Sequence, residues 1–430
     1  MKQLLSGMLS LLMSGCLLSC SPARQVSREL QTKPIYTDHF TGVALYDPVR
    51  QRMLVQHNAD KPFMPASNTK LVSFYAGLLF LIDSLPALRY IIRHDSLIFW
   101  GAGNPLLLHP DLPDTTALAF LRNRPEKLFF SAANYGGPRF GAGWAWDDYN
   151  DDYSPELAPL PIYGNVVRFQ NEKPSIRAVS PARFLDSVRI STNIKGPAGV
   201  HRSEFSNQFM SSADSRAVRQ DVPFRWSAKL AAQLLTDTLR KPVEVLVMPM
   251  PGNTQLLRGA STDSLYKRML HVSDNQFAEQ ILFMISSERN KPMLEPAIER
   301  KLLIDSVLHY APASAGSTRV KWVDGSGLSR YNLFTPNVMI DLLGRIWAKV
   351  PQQRLFALLS ATGQSGTSAG KPYVFAKSGS MTGVYNLSGY VLTQRGKVLY
   401  FSIMHNNFTQ TVGEMRGRTT DLLQEIHRRF

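Results

Sequence analysis

Cysteine is almost absent from this chain of 430 residues. The two cysteines, Cys16 and Cys20, both lie within the first 20 positions, so no disulfide or cysteine metal site can form in the rest of the chain. A His-Glu-x-x-His zinc motif is also missing. The sequence therefore indicates no metal site, and we expect the protein to need no cofactor.

Acidic residues are too few to balance the basic ones: 33 Asp and Glu face 48 Lys and Arg, which gives a formal net charge of +15. The sequence has no run of five or more Lys or Arg and no nucleic-acid-binding motif, so we do not expect nucleic acid as a partner. The positive charge instead favours acidic cell-wall material or an anionic lipid surface.

A Gly-x-Ser-x-Gly nucleophile motif is missing as well. The nine histidines are scattered, and His271 is interpreted as a helix residue rather than a base for the nearby Ser273. A Ser-His-Asp hydrolase is therefore disfavoured.

The N-terminal apolar run is too short for a comfortable membrane span. Residues 1–20 begin with Met1-Lys2, continue with a leucine-rich core and end in Leu17-Leu18-Ser19-Cys20, which predicts a secretion signal. This ending resembles a bacterial lipobox and implies cleavage before Cys20 with lipid attached to its sulfur. Cys16 fits less well, and a plain signal peptide is the alternative. We expect an exported, periplasmic protein held at a membrane by the Cys20 lipid, with residues 21–40 as a polar tether.

One candidate nucleophile stands immediately before a strongly apolar stretch. Ser67-x-x-Lys70 opens the run of residues 71–82, which predicts a buried helix with both side chains on one face. Burial lowers a lysine pKa and would make Lys70 a base for the Ser67 hydroxyl. The same spacing recurs at Ser264 and Ser368, so the motif alone is weak, and a serine N-cap is its ordinary explanation.

Two further motifs follow in a fixed order. Ser273-Asp274-Asn275 lies where two helical patterns meet, and Lys377-Ser378-Gly379-Ser380 precedes a pair of strand patterns. A second Ser-x-Asn at Ser191 lies in a polar stretch and is disfavoured. The ordered set of three is typical of penicillin-binding proteins and class A β-lactamases.

Each motif supplies something that acyl transfer requires. Ser273 can relay a proton between Lys70 and the leaving amine, and Asn275 can hold the substrate's amide backbone. Lys377 supplies positive charge for a substrate carboxylate and keeps Lys70 neutral. We also expect the hydroxyls of Ser378 and Ser380 to donate hydrogen bonds to that carboxylate. The N–H groups of Ser67 and Ser380 would form the oxyanion hole.

The sequence resembles the class C low-molecular-mass penicillin-binding proteins, the D-alanyl-D-alanine carboxypeptidase/endopeptidase family. The resemblance covers residues 40–420 and includes the segments 101–106, 141–153, 324–329 and 363–367, with Asn104 in place of the usual aspartate. It implies a Ser67 acyl-enzyme, peptidoglycan stem peptides ending in D-Ala-D-Ala as substrates, and β-lactams as inhibitors. A β-lactamase and a non-catalytic wall-binding or penicillin-sensing protein are the alternatives.

The expected fold is mixed α/β, of the α+β type: a transpeptidase/β-lactamase-like domain whose antiparallel sheet has helices on both sides. We assign residues 30–88 and 245–430 to this catalytic domain and residues 89–244 to an inserted, mostly β region. Local patterns predict a hairpin over 42–57, a helix from Ser67 to Ser84 stopped by Pro86, a strand pair over 385–405 and a helix over 411–429.

Overall fold

The computed structural model describes residues 21–172, 175–191, 199–212, 219–308, 320–364 and 371–430. The predicted signal segment with Cys16 and Cys20, the alternative serine Ser368 and most of the Ser191-x-Asn motif lie outside these ranges. Within the described ranges, no helix is both long enough and apolar enough to cross a membrane.

The strands of the described ranges are numbered in chain order: β1 (Phe40–Asp47), β2 (Arg52–His57), β3 (Ser84–Arg93), β4 (Ser96–Gly101), β5 (Lys127–Ser131), β6 (Val166–Glu172), β7 (Ser175–Ser180), β8 (Val188–Ser191), β9 (Val200–Arg202), β10 (Phe209–Ser212), β11 (Arg219–Pro223), β12 (Val243–Val245), β13 (Gln255–Ser261), β14 (Ser360–Gln364), β15 (Pro372–Met381), β16 (Val384–Leu392) and β17 (Val398–Asn406).

The α-helices of the same ranges are α1 (Pro22–Thr32), α2 (Pro34–Thr37), α3 (Thr69–Phe80), α4 (Thr116–Arg122), α5 (Ala228–Leu239), α6 (Thr262–His271), α7 (Asn275–Glu288), α8 (Pro296–Leu308), α9 (Pro336–Lys349), α10 (Gln352–Leu358) and α11 (Val412–Arg429).

A six-stranded sheet in the order β14-β15-β16-β17-β1-β2 forms the centre of the first region, and all its neighbouring strands are antiparallel. The β1–β2 hairpin turns at Asp47, whose carboxylate accepts the N–H groups of Val49 and Arg50 at 3.0 Å each. On one face of the sheet, α1 and α11 bury apolar side chains, and on the other face α3, α6, α7 and α9 share one core with it. The predicted antiparallel sheet with helices on both sides is confirmed.

The second region has its own core and three smaller sheets. A mixed five-stranded sheet runs in the order β12-β5-β4-β3-β13, and two three-stranded sheets have the orders β11-β6-β7 and β8-β10-β9. The five-stranded sheet uses β3 and β13, so this region extends from Ser84 to Ser261. It therefore reaches further in both directions than the predicted insertion of residues 89–244.

Two local predictions were wrong. The helix after Ser67 ends at Phe80 rather than Ser84, because the chain from Ser84 pairs as β3 with β13, and Pro86 lies inside that strand. Residues 21–40, predicted as a polar tether, are instead partly helical and packed against the fold. They include α1 and α2, and α1 packs Val26 and Leu30 into the core on the outer face of the large sheet.

Candidate active site

Ser67 lies in a tight turn that leads directly into α3. The turn is a 3-10 helix, Ala66–Asn68, and Ala66 has a left-handed backbone with φ 45°. Two glycines allow other segments to approach it closely. A Cβ on Gly327, which has φ 84°, would collide with the Ala66 carbonyl oxygen, and a Cβ on Gly379 of β15 would lie 2.8 Å from the Ser67 nitrogen. The Ser67 turn is therefore enclosed by β15 and by the loop that contains Gly327.

Lys70, on the first turn of α3, is fully buried beneath Ser67. Its Nζ lies 2.9 Å from Ser67 Oγ, 2.5 Å from Asn275 Oδ1 and 2.7 Å from the Ser326 carbonyl oxygen. The last two partners can only accept, so they occupy two N–H groups of the amine. In the neutral amine the remaining position is a lone pair, and it faces the Ser67 hydroxyl. The structure thus brings Ser67 and Lys70 together as predicted.

The charge state of Lys70 depends on its surroundings. Burial lowers the pKa of Lys70 to about 8, while Asp324, Glu279 and Asp274 oppose that shift by favouring the ammonium form. A general base works best with a pKa near the working pH, so the site places this amine in a useful range.

Glu279 and Asp324 were not among the predicted site residues. Glu279 lies on α7, is buried, and accepts the N–H groups of Gly325 at 3.0 Å and Ser326 at 2.7 Å. Burial, together with the neighbouring carboxyl of Asp324, raises the pKa of Glu279 to about 7. By holding Ser326, Glu279 positions the carbonyl oxygen that contacts Lys70.

Asp324 fixes the loop that follows it. Its carboxylate accepts the N–H groups of Gly327 at 2.9 Å and Ser329 at 2.6 Å, the Asn332 side-chain amide at 2.7 Å, and the Trp144 indole N–H at 2.9 Å. With the Ser326 hydroxyl at 3.5 Å, five donors surround this buried carboxylate and make a fully satisfied network. The sequence predicts for this segment a likeness to the family and no role in the site.

Ser273 and Asn275 lie at the junction of α6 and α7. Ser273 has a left-handed backbone with φ 62°, and no described residue hydrogen-bonds its hydroxyl. Asp274 caps α7 by accepting the Phe277 N–H at 3.1 Å. Asn275 joins two segments: its Oδ1 accepts from Lys70, and its Nδ2 donates to the Tyr153 carbonyl oxygen at 2.8 Å. The structure therefore places Asn275 in direct contact with Lys70.

Lys377, on β15, is buried, and its Nζ donates to the Ser378 carbonyl oxygen at 2.7 Å. Burial, together with repulsion from Lys70, lowers its pKa well below the usual lysine range. Ser378 and Ser380 are exposed on the same strand. Of this motif, Gly379 lies against the Ser67 turn, Lys377 points into the fold, and the two serines face the surface.

A cavity of about 670 Å³ lies in front of Ser67. Ser273, Asn275 and Ser380 line it, whereas Ser378 is not among its lining residues. Charged side chains of both signs, Asp148 and Arg330, also face this space. The alternative nucleophile Ser264 lies within α6 and is not part of this wall.

A buried lysine lies beside a serine in a turn before an apolar helix, together with a Ser-x-Asn loop and a lysine of β15. This arrangement defines a serine acyl-transfer enzyme of the penicillin-binding type. Residues 23–425 match the sequence profile of one family, and the chain belongs to it: the D-Ala-D-Ala carboxypeptidase 3 (S13) family. The predicted family, and with it a D-Ala-D-Ala carboxypeptidase hydrolase, are confirmed.

Two relatives and one solved structure show how far the similarity extends. D-alanyl-D-alanine carboxypeptidase DacB of Haemophilus influenzae is 25% identical over 416 residues, which cover 86% of this chain and 85% of that protein. D-alanyl-D-alanine carboxypeptidase of Actinomadura sp. is 42% identical over 95 residues, covering 19% and 18%. The crystal structure of penicillin binding protein 4 (dacB) from H. influenzae has a TM-score of 0.72 at 22% identity and covers 94% of this chain and 99% of that one, which shows a shared fold.

Proposed function

We propose that Ser67 forms the acyl-enzyme with peptidoglycan stem peptides ending in D-Ala-D-Ala and that water then hydrolyses it. The observation that carries this proposal is the position of the buried Lys70 amine, 2.9 Å from Ser67 Oγ, with both other polar contacts made to acceptors. That geometry leaves the lone pair of the neutral amine directed at the hydroxyl proton.

The reaction follows from this geometry. Lys70 takes the proton as Ser67 Oγ attacks the carbonyl carbon of the penultimate D-Ala. The oxyanion that develops accepts hydrogen bonds from the N–H groups of Ser67 and Ser380. Ser273 passes the proton to the leaving nitrogen, and the terminal D-Ala departs. Water then attacks the ester, with Lys70 again as base. Asn275 holds the substrate's amide backbone while it keeps Lys70 in place.

Recognition of the terminal carboxylate is assigned to β15. Lys377 is buried, and burial disfavours its ammonium form until an anion arrives to pair with it. A substrate carboxylate supplies that partner, and the hydroxyl of Ser380, which lines the cavity, adds a hydrogen bond to it, whereas Ser378 lies outside the cavity lining. The same contacts suit the carboxylate of a β-lactam, which we propose as an inhibitor that acylates Ser67.

We also propose that the protein is exported to the periplasm and anchored to a membrane by lipid on Cys20. The support is the sequence of residues 1–20, whose short apolar core ends in Leu17-Leu18-Ser19-Cys20. Enzymes of the cell wall act outside the cytoplasm, which agrees with such a signal.

The deciding experiment follows two substrates with the purified protein. A wall-peptide mimic ending in D-Ala-D-Ala should release free D-Ala with turnover, and labelled penicillin should attach at Ser67 and persist for many turnover times. In Ser67→Ala both should be lost, whereas Ser264→Ala serves as the matched control and should keep both. No D-Ala release with rapid loss of the adduct would indicate a β-lactamase, and no release with a permanent adduct would indicate a non-catalytic binder.

A further inference from the structure

A second cavity, of about 410 Å³, is separate from the catalytic cleft in front of Ser67, and the two share no described lining residue. One wall comes from the second region, between residues 135 and 142, and the other comes from α7 and the segment around the start of α8. Small-molecule sites in proteins have volumes of about 300–1,000 Å³, so this space can hold a small organic ligand.

The lining of this cavity is largely apolar and is connected to the wall of the cleft. Leu157 and Leu294 line the cavity and form a small buried cluster with Phe283. Trp144, which lines the cleft, packs against the same cluster. A ligand in the cavity would therefore contact residues on which a side chain of the cleft wall rests.

Carboxylates outnumber basic groups around this space. Glu279, Glu295 and Asp324 line the cavity, and Arg300 is the one basic residue of the described lining. Glu279 is 4% exposed and Asp324 is 2% exposed, so both carboxylates are held out of bulk water. The hydrogen bonds that Glu279 accepts come from residues 325–326 and fill at most three of the roughly four acceptor positions of a carboxylate. Capacity for a further N–H donor therefore remains.

The chemistry of an occupant follows from this combination. An apolar lining favours an apolar ligand body, and the excess of carboxylates favours a cation, because an ammonium group donates charge-assisted hydrogen bonds to them. We propose that this cavity is a regulatory site for a small organic amine with an apolar body, and that the bound ammonium group acts on Lys70 through Glu279 and Asp324. The effect on acylation rests on the proposed function, whereas binding of the amine does not.

Two hydrogen-bonded contacts join the cavity lining to the catalytic groups. Glu279 accepts the Ser326 N–H at 2.7 Å, and the Ser326 carbonyl oxygen lies 2.7 Å from Lys70 Nζ. Asp324 accepts the indole N–H of Trp144 at 2.9 Å. The two buried carboxylates thus connect the cavity with the base and with the wall of the cleft.

Three titratable groups act on Glu279: the carboxyl of Asp324, the phenol of Tyr135 and the guanidinium of Arg300. Only Arg300 is a cation, and burial lowers its pKa. Burial and Asp324 raise the pKa of Glu279 to about 7. Above that pH, two carboxylates face one guanidinium, which leaves a net negative charge for a bound ammonium to compensate.

The sign of the effect on Lys70 follows from the charges around it. Asp324, Glu279 and Asp274 favour its ammonium form, whereas Lys377 disfavours that form. A cation bound beside Glu279 and Asp324 offsets their negative charge, so the pKa of Lys70 should fall. A larger fraction of the amine is then neutral at pH 7, and acylation should be faster.

Binding is measured by calorimetry on the purified protein, with phenethylamine as the probe. Phenethyl alcohol, which has the same body and no charge, should bind about tenfold more weakly. Met293→Trp fills the cavity and should abolish binding. Glu295→Gln removes an exposed carboxylate of the lining and should weaken binding about twofold. Its matched control, Glu244→Gln on β12, should leave binding unchanged.

The effect on Lys70 is measured as the rate of acylation by a labelled penicillin across a range of pH, with and without saturating phenethylamine. Formation of the adduct is followed, so attack of the amine on the acyl-enzyme does not enter this rate. We expect the midpoint of the curve to fall by about half a pH unit and the rate at pH 7 to rise about threefold. Met293→Trp should keep the curve of the free protein and lose the response to the amine.

The outcomes separate the site from its role. Absent binding, or binding that Met293→Trp does not change, would overturn the site. Binding that is lost in Met293→Trp, together with a pH curve that the amine does not move, would overturn the regulatory role. If penicillin does not acylate the protein at all, the proposed function is wrong and the regulatory role falls with it, while the calorimetry still decides on the site. Should Met293→Trp fail to fold, Ala297→Trp, at an exposed position of the same lining, replaces it.

Discussion

The pH dependence of acylation tests the assignment of Lys70 as the base. Only the neutral amine can accept the Ser67 proton, and burial lowers the pKa of Lys70 to about 8. The neutral fraction of the amine is then roughly one-tenth at pH 7 and about nine-tenths at pH 9. We therefore expect the rate of acylation by a labelled penicillin to rise about tenfold across this range and to level off above about pH 9.

An unburied lysine would give a different curve. At the ordinary lysine pKa of 10.5, the neutral fraction would rise about a hundredfold between pH 7 and pH 9 and would still be increasing. Single-turnover labelling, stopped at timed intervals and quantified by gel fluorescence, distinguishes the two curves. A rate that keeps rising beyond pH 10, or that does not change with pH, would refute the role given to Lys70.

A variant that removes the Glu279 charge tests the sign of its electrostatic effect on the pKa of Lys70. The Glu279 carboxylate favours the ammonium form of Lys70, so Glu279→Gln should lower the pKa of Lys70 and move the midpoint of the curve to lower pH. Glu244→Gln, on exposed β12 in the second region, is the matched control and should leave the midpoint in place. A midpoint unaffected by Glu279→Gln would contradict the electrostatic account.

Three further perturbations test other parts of the molecule. Lys377→Ala should lower the second-order rate constant for penicillin acylation about tenfold or more, because a charge-assisted contact is worth roughly 1.5–3 kcal/mol. Lys301→Ala is the control, and an unchanged rate in Lys377→Ala would show that Lys377 is not part of the site. Asp324→Asn should lower the free energy of unfolding in urea by about 3 kcal/mol, since an amide nitrogen would face donors that a carboxylate now satisfies; an unaltered urea midpoint would contradict this. Mass spectrometry of the mature protein should find a lipidated N-terminal Cys20, and an unmodified N-terminus elsewhere would show that the lipid assignment is wrong.

The core of the site could be predicted from the sequence because its geometry is local. Ser67 and Lys70 are three residues apart at the start of a helix, so their contact follows from helical periodicity alone. Glu279 and Asp324 could not be found in this way. They meet only when α7 packs beside the loop after residue 320, and no local pattern in either segment predicts that contact.

The errors near the boundaries also have physical causes. Val26 and Leu30 are four residues apart and form an apolar face of α1. Because the surrounding residues are polar, these two alone give too weak a hydrophobic pattern to predict a packed helix. Pro86, after the apolar run, predicts the end of the preceding helix. It lies instead in β3, opposite an irregularity in the register with β13 at Arg258, where a residue without an N–H is tolerated.

The chemistry of Lys70 depends on a property of α3 that is visible in the sequence. The helix has apolar residues on nearly all sides, so it packs inside the fold and carries Lys70 out of water. An amphipathic helix with the same Ser67-x-x-Lys70 spacing would leave the amine solvated, with its pKa near the ordinary value and almost no neutral form at pH 7. The carboxylates of Asp324, Glu279 and Asp274 then limit how far the pKa falls, because each stabilises the ammonium form. The base strength of Lys70 therefore follows from the balance between burial in α3 and three acids contributed by other segments. A substitution on either side of that balance should shift the pH at which the enzyme acylates.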